Sequence, residues 1–236
     1  MRAIFRRELQ GYFFTPIGYV FMGVFLLLGG IFFGAGNLAE RSSNMTYLLR
    51  NMSYLWMLLC PVLTMRLFAG ERSRGTDQLL LAAPVSLTSI VLGKFFAACT
   101  VMIMTVLLTF VYPILIILFG KLYFAETAVA YLGFVLQGGC FIALDILLTV
   151  LSHSQVTAAI LAFGANLAIW LTDAVAAALH GHFSASVLAF FSLNQRFTPF
   201  AAGQFSAANV VYGLLFMSVM LFLSVQLLNI RRTGEE

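Results

Sequence analysis

Charge is scarce in this chain. Lys, Arg, Asp and Glu make up 9% of its 236 residues, against 61% that are hydrophobic. A soluble domain carries roughly 25% charged and about 45–50% apolar residues. A fold of this size cannot hide so much apolar side chain from water, because chain length limits the fraction of surface buried. Water is therefore excluded as the solvent for most of the chain, and lipid takes its place. Cysteine is nearly absent too. Cys60, Cys99 and Cys140 stand alone inside apolar runs with no C-x-x-C spacing, which reads as small buried hydrophobes rather than a disulfide framework or metal site. The phosphate loop G-x-x-x-x-G-K-[ST] is missing, since Gly93-Lys94 lacks both the upstream glycine and the following hydroxyl. The chain cannot hold nucleotide phosphates by that device. G-x-S-x-G and H-E-x-x-H are missing as well. No soluble domain, linker, low-complexity tract or inverted repeat interrupts the sequence. The net charge of +4 is explained by basic cytoplasmic loops rather than by nucleic acid.

What the chain does have is apolar length. Six runs, at 17–36, 49–69, 95–119, 129–151, 156–179 and 209–228, clear or approach the ~20 residues that cross about 30 Å of hydrocarbon. Backbone polar groups in lipid must bond within their own segment, so helices are expected. The expected fold is an all-α integral membrane protein with six transmembrane helices in a single domain, 1–236. Ahead of the first run, Phe5, Leu9, Tyr12 and Phe13 recur at helical spacing opposite Arg2, Arg6, Arg7 and Gln10. That pattern predicts an amphipathic helix over 1–14, lying at the headgroups and ended by Pro16. The run after it exceeds the roughly 7–15 residues of a signal-peptide core, so it reads as a retained span.

Lys and Arg set the orientation. With the N-terminus inside, nine fall on the inner side (Arg2, Arg6, Arg7, Arg66, Arg72, Arg74, Lys94, Arg231, Arg232) and four outside (Arg41, Arg50, Lys121, Arg196). This bias predicts cytoplasmic termini in a multi-pass cytoplasmic-membrane protein. The region 184–206 is then external; its apolar part, Ser186–Leu193, is too short to span and is followed by Arg196, Pro199 and Gly203, so the region reads as a re-entrant hairpin or an ordinary loop.

The longest charged interval between two spans runs from Thr64 to Lys94. It holds Arg66, Glu71, Arg72, Arg74, Asp77 and Lys94 around the apolar segment Gln78–Ala83, which Pro84 stops. Ser86 or Thr88 can cap the next helix. Such a loop suits docking to a soluble partner, although charge and length alone favour a solvated loop that sets topology. Two carboxylates, Asp145 and Asp173, lie inside apolar runs, where an ionisable group is by default a functional candidate. Asp145 could serve an ion-coupled carrier or channel; Asp173, near a span end, can reach the interface. His180 and His182 form a weak metal signal. Ser152, His153 and Ser154 are the best enzyme-like cluster, and read more simply as a polar turn.

The ordered set Met65–Arg72, Gly75-Thr76, Leu79–Leu81, Pro84-Val85 and Ile90–Lys94, with Tyr131–Gly133, Leu151–Gln155, Phe197–Gly203 and Leu227–Arg232, resembles the permeases of ABC-2 type transporters, most closely their gliding-motility-associated branch. The resemblance implies a permease that pairs with a second copy or a homologous permease. It further implies an ATP-binding cassette subunit that carries ATP and Mg, with no cofactor on this chain, and leaves room for an extracytoplasmic accessory protein. A cytoplasmic coupling helix is implied at Gly75–Ala83, within the loop 70–94. Glu71, Arg72, Gly75, Thr76, Leu79 and Leu80 are the implied ATPase-coupling residues. This sequence departs from the family pattern at Gly70, Asp77 and Asp145.

Overall fold

The computed structural model describes residues 1–76, 85–178 and 192–234, and every regular element among them is helical. In chain order these are α1 (Arg2–Phe14), α2 (Pro16–Phe32) with a π-helical continuation over Phe33–Leu38, α3 (Met45–Thr64) and α4 (Ala69–Arg72). Then come α5 (Leu87–Leu108), α6 (Val111–Phe119), α7 (Phe124–Leu151), α8 (Gln155–Ala178), α9 (Leu193–Ala201) and α10 (Ala207–Gly234). Six helical stretches are long and apolar enough to cross a membrane: Pro16–Leu38, Met45–Arg72, Leu87–Leu118, Phe124–Leu151, Gln155–Thr172 and Ala207–Arg232. The chain is an all-α, multi-pass membrane protein, as its composition requires.

Local chemistry explains where helices start. Thr15 is extended and Pro16 opens α2, where its fixed φ suits a first turn and its missing N–H leaves no bond unmade. Asn44, Ser86 and Ser192 cap α3, α5 and α9 through their side-chain oxygens. Pro61, Pro113 and Pro199 lie inside helices, and at the first two a neighbouring helix supplies a donor to the carbonyl four residues back. Pro61 leaves the Met57 carbonyl without its intrahelical donor, and Asn166 Nδ2 of α8 approaches it at 3.4 Å. Pro113 lies in the first turn of α6, where its missing N–H costs no intrahelical bond, and the Thr109 carbonyl accepts from Tyr112 N at 3.0 Å and from Tyr131 Oη of α7 at 3.2 Å.

The long α7 is the centre of the packing, with α3, α9 and α10 against it. Trp56 of α3 anchors the core: its ring lies 4.6 Å from that of Phe25 and 4.8 Å from that of Phe134, and Nε1 donates to the Phe134 carbonyl at 3.1 Å. Helix α9 is nine residues long, roughly 14 Å, and cannot span. It buries Leu193, Phe197 and Phe200, and the chain turns away at Gly203 with φ +75°. The first part of the expected re-entrant region lies outside the described residues. By contrast, α8 and α10 leave broad apolar faces exposed, among them Val156, Ile160, Leu215 and Phe222.

Candidate functional site

The amphipathic α1 docks on the protein by a face that its hydrophobic pattern does not announce. Ile4, Glu8 and Tyr12, one turn apart, are its buried residues, whereas Phe5, Leu9 and Phe13 are only partly covered. The helix crosses α5 at Gly93, where an added β-carbon would lie 3.1 Å from the Ile4 side chain. This close approach carries Glu8 to Lys94.

Lys94 has no exposed surface. Its ammonium lies 3.0 Å from Glu8 Oε1 and 2.9 Å from Glu71 Oε2, and donates to the Leu67 carbonyl. The ammonium thus donates to Glu8 and to the Leu67 carbonyl, while Glu71 Oε2 stands at ion-pair distance without a hydrogen bond among the described residues. The Phe68 ring centroid is 5.0 Å away. Arg7 closes the cluster by donating to Glu8 at 2.8 Å and to Glu71. Two cations and two carboxylates, drawn from α1, α4 and α5, therefore neutralise one another. Burial alone would raise the Glu8 carboxyl, but Lys94 and Arg7 outweigh it and hold the group below its ordinary value of 4.5.

A second set of contacts ties α1 to the end of α3. Arg66 Nη1 donates to the Gly11 carbonyl at 2.9 Å, and its guanidinium lies 4.8 Å over the Tyr12 ring. The Tyr12 hydroxyl donates to the Leu63 carbonyl at 2.7 Å, and burial pushes its ionisation upward so that it stays a donor. Arg72 reaches the other way, donating to the Ser152 carbonyl at 3.1 Å in the turn between α7 and α8. Gly70 presses on the same turn: an added β-carbon would lie 2.9 Å from Gln155 Nε2. A cavity of about 390 Å³ lies among Arg7, Arg66, Glu71, Arg74 and Gln155.

The structure brings Glu71 and Arg72 together on α4, with both side chains engaged inside the chain. From Ser73 to Thr76 the backbone is exposed. Gly75 adopts φ +67°, a left-handed conformation that favours glycine, and the Thr76 hydroxyl donates to the Glu71 carbonyl at 3.1 Å. Leu79, Leu80, Asp77 and the rest of the expected coupling helix beyond Thr76 lie outside the described residues, as do His180 and His182.

Asp145 lies elsewhere, wholly enclosed between α7, α3 and α8 beside Thr64 and Asn166. Among the described residues neither of its oxygens has a hydrogen-bond donor, and Asn166 Oδ1 is in the same position. Asp173 falls in α8, and its side chain is not among those described. Ser152 Oγ donates to the Leu148 carbonyl at 2.8 Å, and Ser154 Oγ accepts from Thr157 N at 3.2 Å. Both hydroxyls thus serve helix ends beside the exposed His153.

Glu8 escaped the sequence reading because the arginines and aromatics of α1 dominate its pattern. The available signal was an acid one turn from both Ile4 and Tyr12, in a chain where Lys94 sits among apolar residues.

Residues 32–173 match the family model described as ABC-2 family transporter protein. No curated protein matches the chain.

Proposed function

Because this chain belongs to the ABC-2 family of transporter proteins and so is a membrane permease component of an ABC transporter, we propose that it works as an exporter, moving substrate at the seam between two permeases. ATP and Mg bind to separate ATP-binding cassette subunits, and those subunits perform the hydrolysis. The second permease is another copy of this chain or a homologue, and the exposed apolar faces of α8 and α10 suit either lipid or that neighbour. Both termini and the 70–94 loop face the cytoplasm of the inner membrane, by the excess of Lys and Arg on that side. The residues quoted from the sequence also favour the gliding-motility-associated branch, and an extracytoplasmic accessory protein fits the same family pattern.

One observation carries the reading. The exposed segment Ser73–Thr76 is bolted at its base, through Glu71 and Lys94, to both α1 and α5. A push on the coupling helix at Gly75–Ala83 therefore reaches three places. It passes through Glu71 to Lys94 on α5, through the shared ammonium to Glu8 on α1, and through Arg72 to the α7–α8 turn. Rigid helices joined by such contacts shift between discrete packings rather than deform continuously, which suits a nucleotide-driven lever. In this division of labour Thr76, Leu79 and Leu80 touch the ATP-binding subunit, and Glu71 and Arg72 pass the motion on.

The test is a mild-detergent pull-down on the tagged chain, with mass spectrometry and an ATPase assay on the eluate. A stoichiometric ATP-binding subunit with vanadate-sensitive turnover is expected, and Leu80→Asp should abolish coupled transport while leaving membrane insertion intact. Wild-type transport by Leu80→Asp would remove the lever. A lone chain without ATPase activity would shift the weight to Asp145 and an ion-coupled carrier or channel.

A further inference from the structure

Asp145 is an acid that the coupling cluster does not use. It lies on α7 six residues before Leu151, about 9 Å from the helix end. That places it inside a span, where an ionisable side chain is by default functional. The side chain has no exposed surface. Among the described residues neither carboxyl oxygen meets a donor, and no cation pairs with it. The titratable group within electrostatic range of it is the Cys60 thiol of α3.

The polar neighbours of Asp145 present acceptors. Asn166 of α8 stands beside the break that Pro61 makes in α3, and its Nδ2 donates to the freed Met57 carbonyl at 3.4 Å. Turning the amide over would set Oδ1 against that carbonyl, acceptor to acceptor, so the network fixes its orientation. The second N–H of Asn166 reaches neither carboxyl oxygen, and Asn166 Oδ1 is itself buried and, among the described residues, without a donor. The Thr64 hydroxyl donates to the Cys60 carbonyl at 3.0 Å, which leaves it only lone pairs for Asp145. A carboxylate here would face lone pairs with its own charge uncompensated, and such burial is heavily penalised.

We propose that Asp145 is a proton-binding site: its carboxyl is held as the neutral acid and donates the proton to Asn166 Oδ1, tying α7 to α8 beside the Pro61 break. One proton removes the charge and supplies the donor that Asn166 Oδ1 lacks. A water molecule could donate to both groups, but the space it needs would leave surface on the atoms around it, and Asp145 and Asn166 have none. A hard metal ion gathers about six oxygens, and would have to force the packed helices apart to do so. The proton enters or leaves when α7 parts from α8, so the bond opposes that movement. The site is separate from the Lys94 cluster and holds whether or not an ATP-binding subunit drives the chain.

Infrared spectroscopy of the full chain in lipid nanodiscs, isotope-labelled at the aspartate side-chain carboxyls, tests this. Asp77, Asp145 and Asp173 are the aspartates of the sequence, so Asp77→Asn with Asp173→Asn leaves Asp145 alone without touching the site. A labelled C=O stretch of a protonated carboxyl is expected at neutral pH in the wild type and in that double variant, and its loss in Asp145→Asn. Asn166→Leu, which removes the acceptor at similar volume, should move the band to higher frequency. Absence of the band from the double variant would mean an ionised carboxylate and would overturn the proposal. So would its disappearance when sodium chloride replaces choline chloride, which would mean a metal-ion site. An unmoved band in Asn166→Leu would overturn the bond to Asn166.

Discussion

Lys94 is the residue on which the most structure depends. An ammonium with no exposed surface is tolerable only because Glu8 and the Leu67 carbonyl accept from it and Glu71 adds a second negative charge at 2.9 Å. Removing one member of such a cluster strands the others, at a cost of about 3–5 kcal/mol. Lys94→Met should therefore lower thermal stability in detergent sharply. Adding Glu8→Gln to it should recover part of the loss, because one stranded carboxylate is gone. A double variant no better than the single one would show that Glu8 and Lys94 are not coupled. Glu8 makes a pH-dependent prediction as well. Its native carboxyl ionises below 4.5, so its stabilising effect is complete above that value. The effect fades as pH falls from 4.5 to the lowered native value, where the folded form also takes up the proton. Acid melting curves should show this loss in the wild type, and Glu8→Gln should flatten them over that window.

Among the elements, α9 and α1 show how short helices are held where propensity alone would not keep them. Isolated helices of nine to thirteen residues are marginal in water, so docking must supply their stability. For α9 the docking surface is Gly133 of α7, where a β-carbon would overlap the Phe200 side chain. Gly133→Ala should thus separate α9 from α7 or force both to shift, costing about 1–3 kcal/mol as overpacking does. Limited proteolysis near α9 reads the outcome, and an unchanged digestion pattern would show that the contact relaxes freely. For α1 the docking surface is polar at its centre and apolar at its flanks. This arrangement fixes its register on α5 more tightly than lipid contact would.

At the scale of the molecule, α1, α4 and α5 share one charged cluster, and α4 also contacts the α7–α8 turn through Arg72. If these parts move together during transport, fixing α1 to α5 should do no harm. Ile4→Cys with Gly93→Cys tests this in a background lacking Cys60, Cys99 and Cys140. The Ile4 β-carbon is 3.2 Å from the position a β-carbon would take at Gly93, a few tenths of an ångström short of the usual disulfide spacing of about 3.5–4.5 Å. Oxidised and reduced protein should transport at similar rates. Loss of transport on oxidation, restored by reductant, would show instead that α1 slides on α5 in each cycle.

The six spans, the helical class and the membrane setting were legible in the sequence because they follow from composition and length, which no packing arrangement can reverse. Some helix starts followed too, since Pro16 and the capping residue Ser86 act on their nearest neighbours. The partners of Glu71 were not legible, because Glu8 and Lys94 are 63 and 23 residues away in sequence and meet it only when α1 crosses α5 at Gly93. Burial of apolar surface is additive along a sequence and can be read from it. The pairing of buried charges depends on which helices touch, and that was decided by the tertiary structure.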